Sequence, residues 1–118
     1  MIVGIGLDLV ELERIRSLYD RKPSFAKRVL TEREYDYFLT LKDQRKIEYL
    51  AGRFSAKEAY SKALGYGIGK EISFQDIEII NDLKGKPEIH TKNTSGGKAH
   101  LSITHTATYA AAQVVIED

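Results

Sequence analysis

The chain has 118 residues, no cysteine and a formal net charge of +1, with 42% hydrophobic and 30% charged residues. That size and mixture fit one compact domain over residues 1–118, and the lack of cysteine excludes disulfides and thiolate metal sites. So even a charge balance points to neither nucleic acid nor membrane as a partner, no stretch approaches the roughly 20 apolar residues of a membrane span, and the opening Met-Ile-Val-Gly-Ile-Gly-Leu-Asp lacks the basic start and long apolar run of a secretion signal.

Ile2 to Val10 reads as a strand. Ile2, Val3, Ile5, Leu7, Leu9 and Val10 are almost continuously apolar, the pattern of a strand buried on both faces. Gly4 and Gly6 permit close approach of another backbone, or a bulge. Asp8 is the anomaly. An acid inside a buried strand is paired or binds a metal, unless it caps the next helix. Leu9 stands where a dinucleotide fingerprint needs its third glycine, so Gly4-x-Gly6 fails as that motif.

From Glu11 to about Tyr19 the period turns helical, with Leu12, Ile15 and Leu18 recurring. Arg14 and Arg21 lie two turns apart on one face, and Pro23 ends the helix. Residues 14 to 28 hold Arg14, Arg16, Arg21, Lys22, Lys27 and Arg28 against one acid, Asp20. Around Tyr19, Pro23 and Phe25 this makes either a solvated helix face or a docking patch for an acidic partner. Phe25 to Leu30 forms a short helical turn. Thr31-Glu-Arg-Glu34 is a capping box opening a helix that carries Tyr35, Phe38, Leu39 and Leu41. Asp43 is the expected cap of the main helix, which runs from about Gln44 to Leu64.

Ile47, Leu50, Ala51 and Phe54 define an apolar stripe on that helix. Glu58 falls near the middle of the stripe and Lys62 one turn further, at its edge. Either this is an ordinary surface Glu–Lys pair, or the helix projects a carboxylate and an amine into one site. Arg45 and Arg53, eight residues apart, flank one face. Gly65-Tyr-Gly-Ile-Gly69 caps the helix and turns the chain.

Ser73 to Ile80 and Glu88 to Thr91 read as a hairpin around the Asn81–Pro87 turn. After the Asn93–Gly97 loop, Ala99 to Ile103 and Thr108 to Val115 are the last strands, with His105 between them. Strand, helices, then strands implies an α+β fold, a mainly antiparallel sheet packed on one long helix plus shorter helices.

Asp8, Glu58, Lys62 and His105, with Arg45 and Arg53, are the chemistry-bearing groups. Two carboxylates without thiolates suit a hard cation such as Mg2+, held also by waters and substrate phosphates. His90, His100 and His105 lack the spacing of a zinc site, and no Gly-x-Ser-x-Gly nucleophile elbow is present. Phosphoryl-type chemistry on a substrate presented by an acidic partner fits these groups. A non-catalytic module that docks acidic helical proteins through Arg14 and Arg21 is the competing reading.

Five motifs carry a resemblance. Gly4-Ile-Gly-Leu-Asp8-Leu-Val-Glu-Leu-Glu-Arg-Ile15 and Phe54-Ser-Ala-Lys57-Glu58-Ala-Tyr-Ser-Lys62 resemble the two signatures of bacterial holo-acyl-carrier-protein synthases. Phe25–Glu34, Gly85-Lys86-Pro87 and Ser102-Ile-Thr-His-Thr106 follow in order at that family's spacing. The resemblance covers nearly the whole chain. Its departures, at Ser24, Gln44, Phe54 and Lys84, leave Asp8, Glu58 and Lys62 untouched.

The resemblance implies a 4′-phosphopantetheinyl transferase fold and activity: phosphopantetheine passes from coenzyme A to a serine of apo-acyl carrier protein, releasing adenosine 3′,5′-bisphosphate. It implies a cytoplasmic, Mg2+-dependent homotrimer with active sites at subunit interfaces. Asp8 and Glu58 are then the metal ligands, and Lys62 contacts the phosphates. The base is left open among a water on the metal oriented by Glu58, Asp8 and Lys62. Arg45, Arg53, His105 and Thr106 match positions around the adenosine 3′-phosphate. Ser61 and Gly65 match contacts to diphosphate and ribose, and Lys86 and Pro87 also fall among the coenzyme A positions. Arg14, Arg21 and Phe25 match the helix that grips the carrier protein.

Overall fold

The computed structural model describes residues 1–92 and 97–118. Strand β1 (Ile2–Glu11) leads into four helices, α1 (Leu12–Arg21), α2 (Ser24–Val29), α3 (Glu32–Phe38) and α4 (Asp43–Leu64). A 3-10 turn at Phe74–Asp76 precedes β2 (Ile77–Asn81), β3 (Pro87–Thr91), β4 (Lys98–His105) and β5 (Tyr109–Glu117). The expected α+β architecture is present, as two antiparallel sheets: β1-β5-β4, and the hairpin β2-β3.

Helix α4 is the axis of both cores. Its first half supplies Ile47, Leu50 and Ala51 to a cluster with Leu12, Ile15, Val29 and Phe38 from the strand-helix region. Its second half supplies Ala56, Ala59, Tyr60 and Ala63 to a cluster with Ile77, Ile79, Val114 and Ile116 of the sheets. A helix wrapped by partners along its length has no single wet face.

The capping box forms as the sequence requires: Thr31 Oγ1 accepts from Glu34 N, and the Glu34 carboxylate accepts from Thr31 N at 2.8 Å. At the end of α4, Gly65 takes φ 87°, with Gly65 N donating to Lys62 O and Tyr66 N to Ser61 O. This is a Schellman closure, which favours glycine at that left-handed position.

Four expectations are corrected. Strand β1 is buried on one face only: Ile5, Leu7 and Leu9 are 62–64% exposed. The sheet has α4 on one side and no second layer of described residues on the other, so alternate apolar side chains face outward. Asp43 does not cap α4. Lys42 occupies the cap with no side-chain hydrogen bond, and Asp43 is the first helical residue at φ 53°, a conformation acids tolerate better than most residues. The hairpin's first strand begins at Ile77 rather than Ser73, because Ser73 and Asp76 form a capping box that turns the chain first. His105 is the last residue of β4 rather than a linker residue. Of the expected Asn93–Gly97 loop, residues 93–96 lie outside the described residues.

Candidate active site

The site grows out of how β1 lies on α4. Two residues of strand rise about 6.8 Å, and four residues of helix about 6 Å, so the two elements keep step. Gly4 lies against Ala63 and Gly6 against Ala59; a Cβ on either would stand 2.1 Å and 1.8 Å from the respective carbonyl oxygen. Two residues on, the third inward position is Asp8, and four residues back on the helix is Ser55. Here a side chain fits, and Ser55 Oγ donates to Asp8 Oδ2 at 2.8 Å. The glycines seat the strand, and their seating delivers the aspartate to the helix.

Lys62 Nζ closes the group from about two turns further along α4. It donates to Asp8 Oδ1 at 3.1 Å and to Leu7 O at 3.1 Å. Glu58 lies between Ser55 and Lys62 in sequence, half-buried. Burial raises its carboxyl above the ordinary carboxylate value, and the Asp8 charge adds to this; Lys62 and Arg14 pull the other way. Two acids thus press on each other beside two cations. This arrangement supports proton handling and charge neutralisation at a phosphoryl group. The donor set also fits a hard divalent cation, since Mg2+ takes one or two carboxylates and completes its shell with waters and substrate phosphates. Among the described residues no group of three or more His, Cys, Asp or Glu gathers as a metal cage.

Sequence reasoning placed Glu58 at the centre of the buried stripe. The fully buried acid–base pair is instead its neighbour, Lys57, with Glu34. Both side chains are 0% exposed, and Nζ–Oε1 is 2.6 Å. Lys57 also donates to Val29 O and Phe74 O, while Glu34 accepts from Ile79 N. Burial lowers the Lys57 amine from its ordinary value, against the opposing pull of Glu34. This network ties α2, α3, β2 and the 3-10 turn to α4 and leaves Glu58 on the open side. Sequence reasoning named neither Ser55 nor Lys57 as a functional residue: the strand pattern Gly4, Gly6, Asp8 marks the aspartate but not the helix residue that it meets.

The remaining predicted residues fall into separate groups. Glu48 brings Arg45 and His105 together, at 3.5 Å and 3.8 Å. Thr106 beside them organises the β4–β5 turn: its Oγ1 accepts from Thr108 N and Tyr109 N. Arg53 stands about 12 Å further along the helix axis. It stacks on Tyr49 at 4.4 Å and donates to Asn81 Oδ1 at 3.2 Å. The Tyr49 phenol is pushed up to about 12 by burial, against the influence of Arg53. Lys86 and Pro87 line a cavity of about 500 Å3 with Tyr60, His90 and His100, which includes none of the Asp8 group. Ser61 is buried and its hydroxyl donates to Glu58 O at 2.8 Å. Gly65 is the helix cap one turn past Ser61. Phe25 packs half-buried on Phe54 at 5.9 Å, while Arg14 and Arg21 lie exposed on α1.

The family model of the 4′-phosphopantetheinyl transferase superfamily matches residues 4–114. The holo-[acyl-carrier-protein] synthase of Bacillus velezensis is 60% identical over 99% of this chain and 97% of its own length. The Bacillus subtilis protein of that name is 58% identical over the same shares. Among solved structures, a holo-(acyl-carrier-protein) synthase from Bacillus anthracis in complex with CoA (3′,5′-ADP) superimposes with TM-score 0.92 at 53% identity, over 99% of this chain and 97% of that one. The Neisseria meningitidis synthase does so with TM-score 0.91 at 37% identity, over the whole of both chains.

Proposed function

The chain belongs to the 4′-phosphopantetheinyl transferase superfamily, and from that premise we propose that it transfers phosphopantetheine from coenzyme A to a serine of apo-acyl carrier protein. The observation that carries the reading is the joining of Asp8, Glu58 and Lys62 at the strand–helix contact. The relatives named above are holo-[acyl-carrier-protein] synthases, and one was solved with coenzyme A. Residues 1–118 act as one transferase domain.

The serine oxygen forms a bond to the phosphorus that carries pantetheine. The bridging oxygen leaves with adenosine 3′,5′-bisphosphate, and the serine proton passes to a base. Asp8 and Glu58 would hold Mg2+, which supplies charge neutralisation at the diphosphate when bound. Lys62 reaches the same phosphates and steadies the charge that develops during transfer. Glu58, beside Asp8 and Lys62, orients the group that takes the serine proton. Arg45, Arg53, His105 and Thr106 serve the 3′-phosphate of the coenzyme A bound at the neighbouring copy's Asp8 group. Gly65, Lys86 and Pro87 complete the coenzyme A surface. Ser61 contributes through the helix end it buttresses, because its hydroxyl is already engaged.

Arg14 and Arg21 offer the acidic carrier protein its docking face, with Phe25 of α2 as its apolar contact. The outward side chains of Ile5, Leu7 and Leu9, 62–64% exposed, form an apolar strip that a monomer leaves wet. Covering it with further copies supports a homotrimer with sites at subunit interfaces. No helix among the described residues is long and apolar enough to cross a membrane, and a cytoplasmic setting follows from the substrates.

The test is a mass measurement. Apo-carrier protein mixed with this protein, coenzyme A and Mg2+ should gain the mass of one phosphopantetheine arm. No gain, where a known transferase succeeds, overturns the reading. Sedimentation velocity at micromolar concentration checks the assembly; a single-chain mass overturns the trimer.

A further inference from the structure

The two oxygens of Asp8 are held in different ways. Oδ2 accepts from the hydroxyl of Ser55, a side chain 0% exposed and fixed on the inner face of α4. Oδ1 accepts from Lys62, whose flexible side chain is 51% exposed. A buried helical serine ordinarily returns its hydroxyl to a carbonyl one turn back. Ser55 instead spends its only donor on the aspartate of another element. Asp8 therefore has one oxygen locked inward and one whose partner is easily displaced.

We propose that Ser55 is a positioning residue that makes Asp8 a one-oxygen ligand for a small divalent cation, with Lys62 occupying the cation's place until it arrives. The proposal rests on the reading of Asp8 and Glu58 as the metal-holding pair. Mg2+ is small and demands near-octahedral, one-oxygen contacts, whereas Ca2+ accepts carboxylates through both oxygens and tolerates irregular shells. With Oδ2 engaged by Ser55, Oδ1, held by the half-exposed Lys62 side chain, is the oxygen left to a cation. Arrival of the cation then frees the Lys62 amine from Asp8 for the phosphates. Ser55 thus sets which cation the site prefers as well as how tightly it is held.

The experiment measures Mg2+ and Ca2+ binding by calorimetry on the wild-type 118-residue chain, Ser55→Ala and Asp8→Asn, each saturated with coenzyme A, with thermal melts to confirm folding. Ser55→Ala removes one oxygen from a buried site and leaves the helix intact. The wild type should bind Mg2+ in a way that Asp8→Asn abolishes. Ser55→Ala should weaken Mg2+ about tenfold, as loss of a hydrogen bond to a ligand does, while Ca2+ changes less than about twofold. The Mg2+/Ca2+ preference falls accordingly. If Asp8→Asn abolishes binding but Ser55→Ala binds both ions as the wild type does, or loses both equally, the positioning role is wrong and the metal reading stands. If the wild type binds neither ion, both fall together.

Discussion

Lys57 and Glu34 form an ion pair 2.6 Å long in which neither side chain meets solvent. Each is further bound to backbone groups: Lys57 to Val29 O and Phe74 O of other elements, Glu34 to Thr31 N at the start of its own helix and to Ile79 N of β2. Such a pair is worth little compared with a well-packed apolar replacement, yet losing one partner strands a buried charge. Lys57→Met should cost about 3–5 kcal/mol in urea unfolding. A loss below about 1 kcal/mol would mean that the pair is solvated in solution.

Gly6 should be the least tolerant glycine of the strand. The carbonyl oxygen of Ala59 stands 1.8 Å from where a Cβ would sit, and it is backbone that cannot rotate away. Gly6→Ala should cost at least about 3 kcal/mol, the upper end of ordinary overpacking. It should also lower turnover through displacement of Asp8. Chemical denaturation and the carrier mass assay read the two effects, and wild-type values in both would refute the seating of β1 on α4.

Glu58→Gln should stabilise the protein while stopping the reaction. The folded-state carboxyl lies above its unfolded value, through burial first and Asp8 second. The folded state therefore holds the proton more tightly, and stability falls as pH rises through the interval between the two values. Above that interval the ionised Glu58 is a net cost, reduced by its partial exposure. In a chelating buffer at pH 7, Gln should raise Tm by roughly 1–3 °C. Added Mg2+ should raise Tm of the wild type only. A lower Tm for Gln would make Glu58 a structural residue.

Charge reversal on α1 should separate docking from chemistry. Arg14 also influences Glu58 electrostatically, so Arg21→Glu is the cleaner variant. It should weaken carrier binding about tenfold and flatten its salt dependence, with coenzyme A affinity unchanged. Arg14→Glu should do the same and also disturb turnover. Titration of labelled carrier at two salt concentrations checks both, and equal binding by Arg21→Glu and wild type would remove α1 from the interface.

Local signals were legible in the sequence and distributed ones were not. The Thr31–Glu34 box and the Gly65 cap depend on residues within one turn, and both form. Asp8 and Glu58 announced themselves as acids where apolar residues were due, and the fold brings them into electrostatic contact. Lys57 gave no such signal. A helix enclosed on nearly every side has no clean stripe, so the residue next to Glu58 could take the fully buried position. Ser55 was silent too, since its role exists only through the strand it meets. In β1, apolar residues on both faces hid the alternation, because an outward strip of Ile5, Leu7 and Leu9 looks the same in sequence as a second core.

Strand β5 lies between β1 and β4, and its register with β1 runs from Ile2↔Glu117 to Glu11↔Tyr109. None of the Asp8, Ser55, Glu58 and Lys62 group lies beyond position 62. Yet the strand that carries Asp8 finds its only hydrogen-bonded neighbour, among the described residues, in the last strand of the chain. On a ribosome the first strand would wait unpaired while more than 90 residues follow it, because loop closure over that span must precede the pairing. The site would come into being only once β5 has been made, so a nascent chain stalled before Tyr109 would carry every acid and amine of the site and no assembled centre.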